Sequence, residues 1–265
     1  MEFARPPDAG ETMQSWKRAI GTGLSVIYRI KHGFSGNPQG LRILMYHSIG
    51  SRISDETNGL YSVSRQRFKT HIDYVKAHQS DPNLLIRSFA APASTGISFT
   101  FDDGYRDNLE VAAPLMLEHG FPFHVFINPS FVLSGKHQYL SIQSLRELAD
   151  LPGVGIGAHG YSHRKLTECT PSELDYELIA SKKWIEDAIG REVTTMAYPH
   201  GAVNNVVRLA TAKAGYTVAA SSKFGIVTAA SDRLALERTD IWSTDTAQTL
   251  RSKLHGNWDW MSKHT

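Results

Sequence analysis

From Arg42 onward, short apolar runs of strand length alternate with longer segments whose apolar residues recur at helical spacing. The runs predict strands over residues 43–46, 97–101, 123–127, 154–158, 195–198 and 217–220, with weaker ones near Leu234 and Thr239. The periodic segments predict helices over 65–77, 109–119, 142–149, 171–189, 203–214 and 247–254. Thr170, Pro171 and Glu173 form a helix start, with an N-cap, a proline at the first helical position and a capping-box glutamate. Gly190 and Gly215 follow two helix ends, where a left-handed residue is needed. Strands alternating with helices imply an α/β fold with parallel strands and helical crossovers.

Residues 1–38 do not share this rhythm and read as an N-terminal extension to a domain over 39–265. Within the extension, Trp16, Ile20, Leu24, Ile27 and Tyr28 recur at helical spacing, with Lys17, Arg18, Arg29 and Lys31 around them. Residues 16–32 therefore offer a basic amphipathic helix to a membrane surface, or a helix packed against the domain, the preferred reading.

The chain has 265 residues, enough for one barrel-sized domain or two small ones. A formal net charge of +2 gives no support for nucleic-acid binding. One cysteine, Cys169, excludes an internal disulfide. The sequence has neither a span-length apolar segment nor a signal-peptide layout, which favours the cytoplasm, with the inner membrane face as a peripheral site.

The candidate chemistry lies just past the apolar runs. Thr100-Phe101-Asp102-Asp103-Gly104 ends one strand, and His159-Gly160-Tyr161-Ser162-His163 follows another. Asp103, His159 and His163 form a ligand set for a divalent ion with open positions, and Asp102 is left for proton transfer. Histidines four apart meet on one side of a helical turn and can share an ion. Each element alone is weak: an acidic pair can cap a turn, and one His-x-x-x-His is unremarkable among 12 histidines. His124 reads as a structural histidine, and Asp107 and Asn108 as caps of the following helix. Trp242, Trp258 and Trp260 read as core, with sugar stacking as the alternative.

Thr100–Gly104 resembles the first motif of the polysaccharide deacetylases of the NodB-homology class, the family 4 carbohydrate esterases. His159 to His163 is similar to their His-(Ser/Thr)-x-x-His motif, with Gly160 in the hydroxyl position. Ala197-Tyr198-Pro199-His200-Gly201 is similar to their Pro-Tyr-Gly motif, with His200 replacing the tyrosine and no arginine ahead. The resemblance implies that Asp103, His159 and His163 hold the metal and that Asp102 is the general base. It implies that the His200 amide stabilises the oxyanion, with Pro199 fixing its loop. Met45-Tyr46-His47 also resembles the bacterial exopolysaccharide and biofilm deacetylases, whose motif order is permuted and whose early histidine is the general acid. His47 is thus preferred over His255, which reads as a helix end before the cap Gly256. Arg238 and Asp240 supply the missing arginine and orient Asp102, or form an ion pair at a strand end.

The fold expected is one distorted, seven-stranded (β/α) barrel with the site at its C-terminal face. The expected activity is metal-dependent removal of N-acetyl groups from a glycan containing N-acetylhexosamine, or its precursor. Zinc suits the ligands; cobalt, nickel and manganese are alternatives. An O-acetyl esterase acting on a glycan such as xylan and a non-catalytic glycan-binding module remain as rivals.

Overall fold

The structure is a computed structural model, describing residues 40–51, 59–91 and 95–263. The N-terminal extension, with its candidate helix over 16–32, lies outside the described residues. Nine strands are described: β1 (Leu41–Tyr46), β2 (Ser48–Ile49), β3 (Ser62–Val63), β4 (Gly96–Phe101), β5 (Phe123–Ile127), β6 (Val154–Ala158), β7 (Thr195–Ala197), β8 (Val218–Phe224) and β9 (Leu236–Asp240). Seven of them close a barrel in the order β1-β4-β5-β6-β7-β8-β9, all parallel. The seam pairs β1 with β9 through Leu44–Thr239 and Met45–Asp240. The expected barrel and its strand count are therefore the observed ones. β2 and β3, two residues each, form a separate pair outside the barrel.

Side chains alternate in and out along each strand. Outward residues such as Phe99, Phe101, Phe123, Val125 and Ile156 join the layer between barrel and helices. Inward ones, including Ile43, Phe126, Ala197, Ala220 and Leu236, fill the barrel. β6 contributes Gly155 and Gly157 to the interior. A Cβ on Gly157 would lie 2.6 Å from the Phe126 ring, and one on Gly155 would overlap the His124 ring. The bare backbone of β6 thus makes room for the two rings of β5.

The helix Arg65–Ala77 has its expected limits. The expected helix over 171–189 is interrupted: Pro171–Asp175 and Ser181–Ile189 flank a π-helical turn, Tyr176–Ala180. Thr170 and Glu173 form the capping box, and Gly190 ends the helix at φ 68°. Asn108–Ala112 is a second π turn, before the helix Ala113–Leu117. Among the described residues, no helix is long and apolar enough to cross a membrane.

Candidate active site

Four inward-facing rows run out at the C-terminal mouth of the barrel. Ile43 and Met45 lead to His47, Ser98 and Thr100 to Asp102, Gly155 and Gly157 to His159, and Leu236 to Arg238 and Asp240. By the same alternation Asp103 would point outward. Its left-handed backbone, φ 75°, turns it back, so both adjacent carboxylates reach the mouth. His163 (φ 60°) and His200 (φ 57°) are the other non-glycine residues with positive φ among those described. All three line one cavity of about 510 Å³, together with His47, Asp102, His159 and Arg238. Strained backbone is concentrated where side chains must be aimed.

Asp103 Oδ1 lies 3.5 Å from His159 Nε2 and 3.2 Å from His163 Nε2. The three ligand atoms fall within 4.8 Å of one another. Asp103 Oδ1 is buried yet accepts no well-directed hydrogen bond among the described residues. His159 Nδ1 donates to the Ala197 carbonyl at 2.8 Å, which leaves the Nε2 lone pair facing the carboxylate. Burial lowers the His159 pKa to about 4, so its ring is neutral at pH 7. Burial would raise Asp103, but the neighbouring His163 and other imidazoles hold it well below the usual carboxylate range. A carboxylate and two imidazole nitrogens facing one point fit a divalent cation.

Asp102 receives both forks of Arg238, Nη1 to Oδ1 at 2.7 Å and Nη2 to Oδ2 at 2.8 Å. Arg238 Nε donates to the Ser221 carbonyl at 2.7 Å, which fixes the plane of the guanidinium. Burial opposes ionisation of Asp102, but the charge and hydrogen bonds of Arg238, together with His159 and His47, outweigh it and lower the pKa. Arg238 therefore orients Asp102; it does not pair with Asp240. Asp240 instead accepts from the Tyr61 hydroxyl at 3.3 Å, and burial raises its pKa.

The His47 ring packs on Tyr61, with centroids 4.5 Å apart. Its Nδ1 is buried without a hydrogen-bond partner among the described residues. Its carbonyl is held by Asn108 Nδ2 at 2.9 Å. His255 ends the helix Ala247–Leu254 and does not line the cavity. Pro199 and His200 lie in a short 3-10 turn, Pro199–Gly201. The His200 ring sits 4.6 Å from that of His163 and its Nε2 lies 3.2 Å from the His163 carbonyl.

Residues 91–219 match the polysaccharide deacetylase family profile. The chain carries a polysaccharide deacetylase domain. The matched stretch holds Asp102, Asp103, His159, His163, Pro199 and His200. His47, Arg238 and Asp240 lie outside it: His47, just after β1, and Arg238, on β9, line the cavity, and Asp240 meets it only through Tyr61. The Bacillus subtilis protein YxkH is 27% identical over 210 residues, which cover 77% of this chain and 72% of YxkH. Poly-β-1,6-N-acetyl-D-glucosamine N-deacetylase of Staphylococcus aureus is 24% identical over 179 residues, covering 60% of this chain and 61% of that protein. The structure of the Streptococcus pyogenes deacetylase PplD in complex with acetate shares the fold, with a TM-score of 0.71 over 81% of this chain and 98% of that one at 22% identity.

Two readings from the sequence change within the deacetylase domain. Residues 159–163 are not helical: Gly160 (φ 64°) and His163 are both left-handed, and this turn, not a helix face, brings the two imidazoles together. Asp107 makes no side-chain cap bond. Its Oδ2 accepts instead from Ser48 Oγ at 2.8 Å and Ser51 N at 3.0 Å, tying down the chain after His47. Trp242 and Trp258 are buried and lie outside the cavity lining. Its aromatic wall is made by Tyr105, Phe131 and Tyr139, with the Phe131 and Tyr139 rings stacked at 4.5 Å. Phe131 lies on an unexpected helix, Pro129–Leu133, whose signal was present: Asn128 caps it and Pro129 takes the first position.

Proposed function

We propose that the deacetylase domain hydrolyses N-acetyl groups on a glycan containing N-acetylhexosamine, or on its precursor, releasing acetate and leaving a free amine. The observation that carries this reading is the convergence of Asp103, His159 and His163 on one point beside an arginine-bound Asp102. The printed substrate of the Staphylococcus aureus relative supports the glycan class. The flat wall of Phe131 and Tyr139 offers a face for a sugar ring.

Asp103, His159 and His163 would hold the metal, and two imidazoles with one carboxylate suit zinc, with cobalt, nickel or manganese able to replace it. A divalent cation there supplies Lewis-acid chemistry, acidifying water and polarising a carbonyl. Asp102, kept ionised by Arg238, accepts the proton of the attacking water. The His200 amide, presented by Pro199, donates to the oxygen on which negative charge develops. His47 gives its proton to the departing nitrogen. The C–O bond to acetate forms, the C–N bond breaks, and the nitrogen leaves as an amine. Asp240 and Tyr61 border His47 and fix its surroundings.

The test is acetate release by chelator-stripped protein resupplied with Zn2+ or Co2+. Oligomers of N-acetylglucosamine and O-acetylated xylan are compared. Ion-dependent release from the N-acetyl substrate alone is expected. Release from xylan alone makes the domain an esterase, and ion binding without any release makes it a glycan-binding module.

A further inference from the structure

Glu177 is buried, with 2% of its surface exposed, and its hydrogen bonds go to Tyr161 and Ser162, between the two histidines. Its carboxylate faces the turn between His159 and His163. Oε2 accepts from two successive backbone amides, Tyr161 N at 2.7 Å and Ser162 N at 2.9 Å. Oε1 accepts from the Ser162 hydroxyl. Two consecutive N–H groups aimed at one oxygen form an anion-binding nest. One helical turn later Ser181 Oγ donates to the Gly160 carbonyl at 2.9 Å. The π turn Tyr176–Ala180 inserts its extra residue between the two flanking helical pieces, and Glu177 lies within it.

The turn needs such a hold. His163 is a non-glycine residue at φ 60°, a strained conformation that persists only where its surroundings impose it. Gly160 has no side chain with which to brace the turn. A Cβ there would come 3.1 Å from Glu177 Oε2, so the carboxylate occupies the space beside it.

We propose that Glu177 is a positioning residue: it clamps the left-handed turn that carries His163 and thereby sets the affinity of the site for its divalent cation. This rests on the metal-binding reading above. Glu177 acts through the turn and touches neither substrate nor ion.

The experiment measures Co2+ dissociation constants by competition with a chromophoric chelator, alongside melting of the ion-free protein. Wild type, E177A, E177D and E177Q are compared. Glutamine keeps an acceptor for the two amides, whereas aspartate draws the carboxylate back by one methylene. E177A and E177D are expected to bind Co2+ about 10–100-fold more weakly, the effect typical of groups that orient metal ligands. E177Q should stay within about threefold of wild type, with all four proteins melting cooperatively. A merely structural role would lower the melting temperature and leave the dissociation constant alone. Equal Co2+ affinity in all folded variants overturns the proposal, as does a loss in E177Q as large as in E177A. Should E177A not fold, E177D decides. A wild type that binds no Co2+ overturns the metal centre as well, so the two failures are distinguishable.

Discussion

Asp102 and Asp103 share a peptide bond, yet their surroundings differ. Asp102 faces a fixed guanidinium, and Asp103 faces two imidazole nitrogens. Asp103→Ala, His159→Ala and His163→Ala each remove a donor atom, and elemental analysis is expected to show each variant stripped of its ion. Asp102→Asn should keep the ion and lose about 10²–10⁴-fold in kcat, because an amide cannot accept the proton. Arg238→Met leaves a buried carboxylate unpaired. It should cost about 3–5 kcal/mol in urea unfolding. Because Arg238 holds the Asp102 pKa down, its loss should also move the acidic limb of kcat/KM to higher pH. His47→Ala should be nearly inactive with its ion retained, and His255→Ala close to wild type, by acetate release. The convergence of Asp103, His159 and His163 was legible in the chain because their types and order suit one ion. The sequence alone does not choose a partner for Arg238, since 136 residues separate it from Asp102 and only barrel closure decides the pairing. Glu177 was not legible: nothing local links residue 177 to amides 15 and 16 positions earlier.

At the scale of elements, β5 and β6 kept their expected limits because both are apolar runs ended by a turn. β8 extends beyond its expected end, through Ser221-Ser222-Lys223, since a polar stretch conceals a strand that pairing with β9 sustains. The two π turns were invisible for another reason. One inserted residue barely disturbs a 3.6-residue period read over two turns. Gly160 is where an element-scale reading misleads most. A hydroxyl residue at that position looks like a repair, but φ 64° and the nearby Pro199 and Glu177 side chains leave no room for one. Gly160→Ser is therefore expected to lower the melting temperature and weaken ion binding; a gain in either would contradict the observed turn.

For the whole molecule, two buried histidines outside the site contribute to the response to acid. Burial lowers the His71 pKa from 6.5 to about 4 and that of His124 from 6.5 to about 3. His71 lies 3.0 Å from the Tyr46 hydroxyl and 2.8 Å from the Asp245 carbonyl; His124 lies 2.7 Å from Thr195 Oγ1. In the unfolded chain both titrate near 6.5, so falling pH protonates that state first. Their contribution to stability is complete above about 6.5 and is lost as pH falls towards 4 for His71 and 3 for His124. The urea midpoint should drop between pH 7 and pH 4.5, and His124→Gln should show a smaller drop than wild type.

The seam between β1 and β9 also orders events in time. A ribosome delivers Asp102 to the solvent long before it has made Arg238, and the last strand must travel back to the first before the two can meet. Pairings this distant in sequence form slowly. Until then the growing polypeptide holds Asp102 with no guanidinium to face it, and a chain stalled short of β9 would keep that carboxylate unpaired. The Asp102–Arg238 pair is therefore a mark of closure as much as of the site.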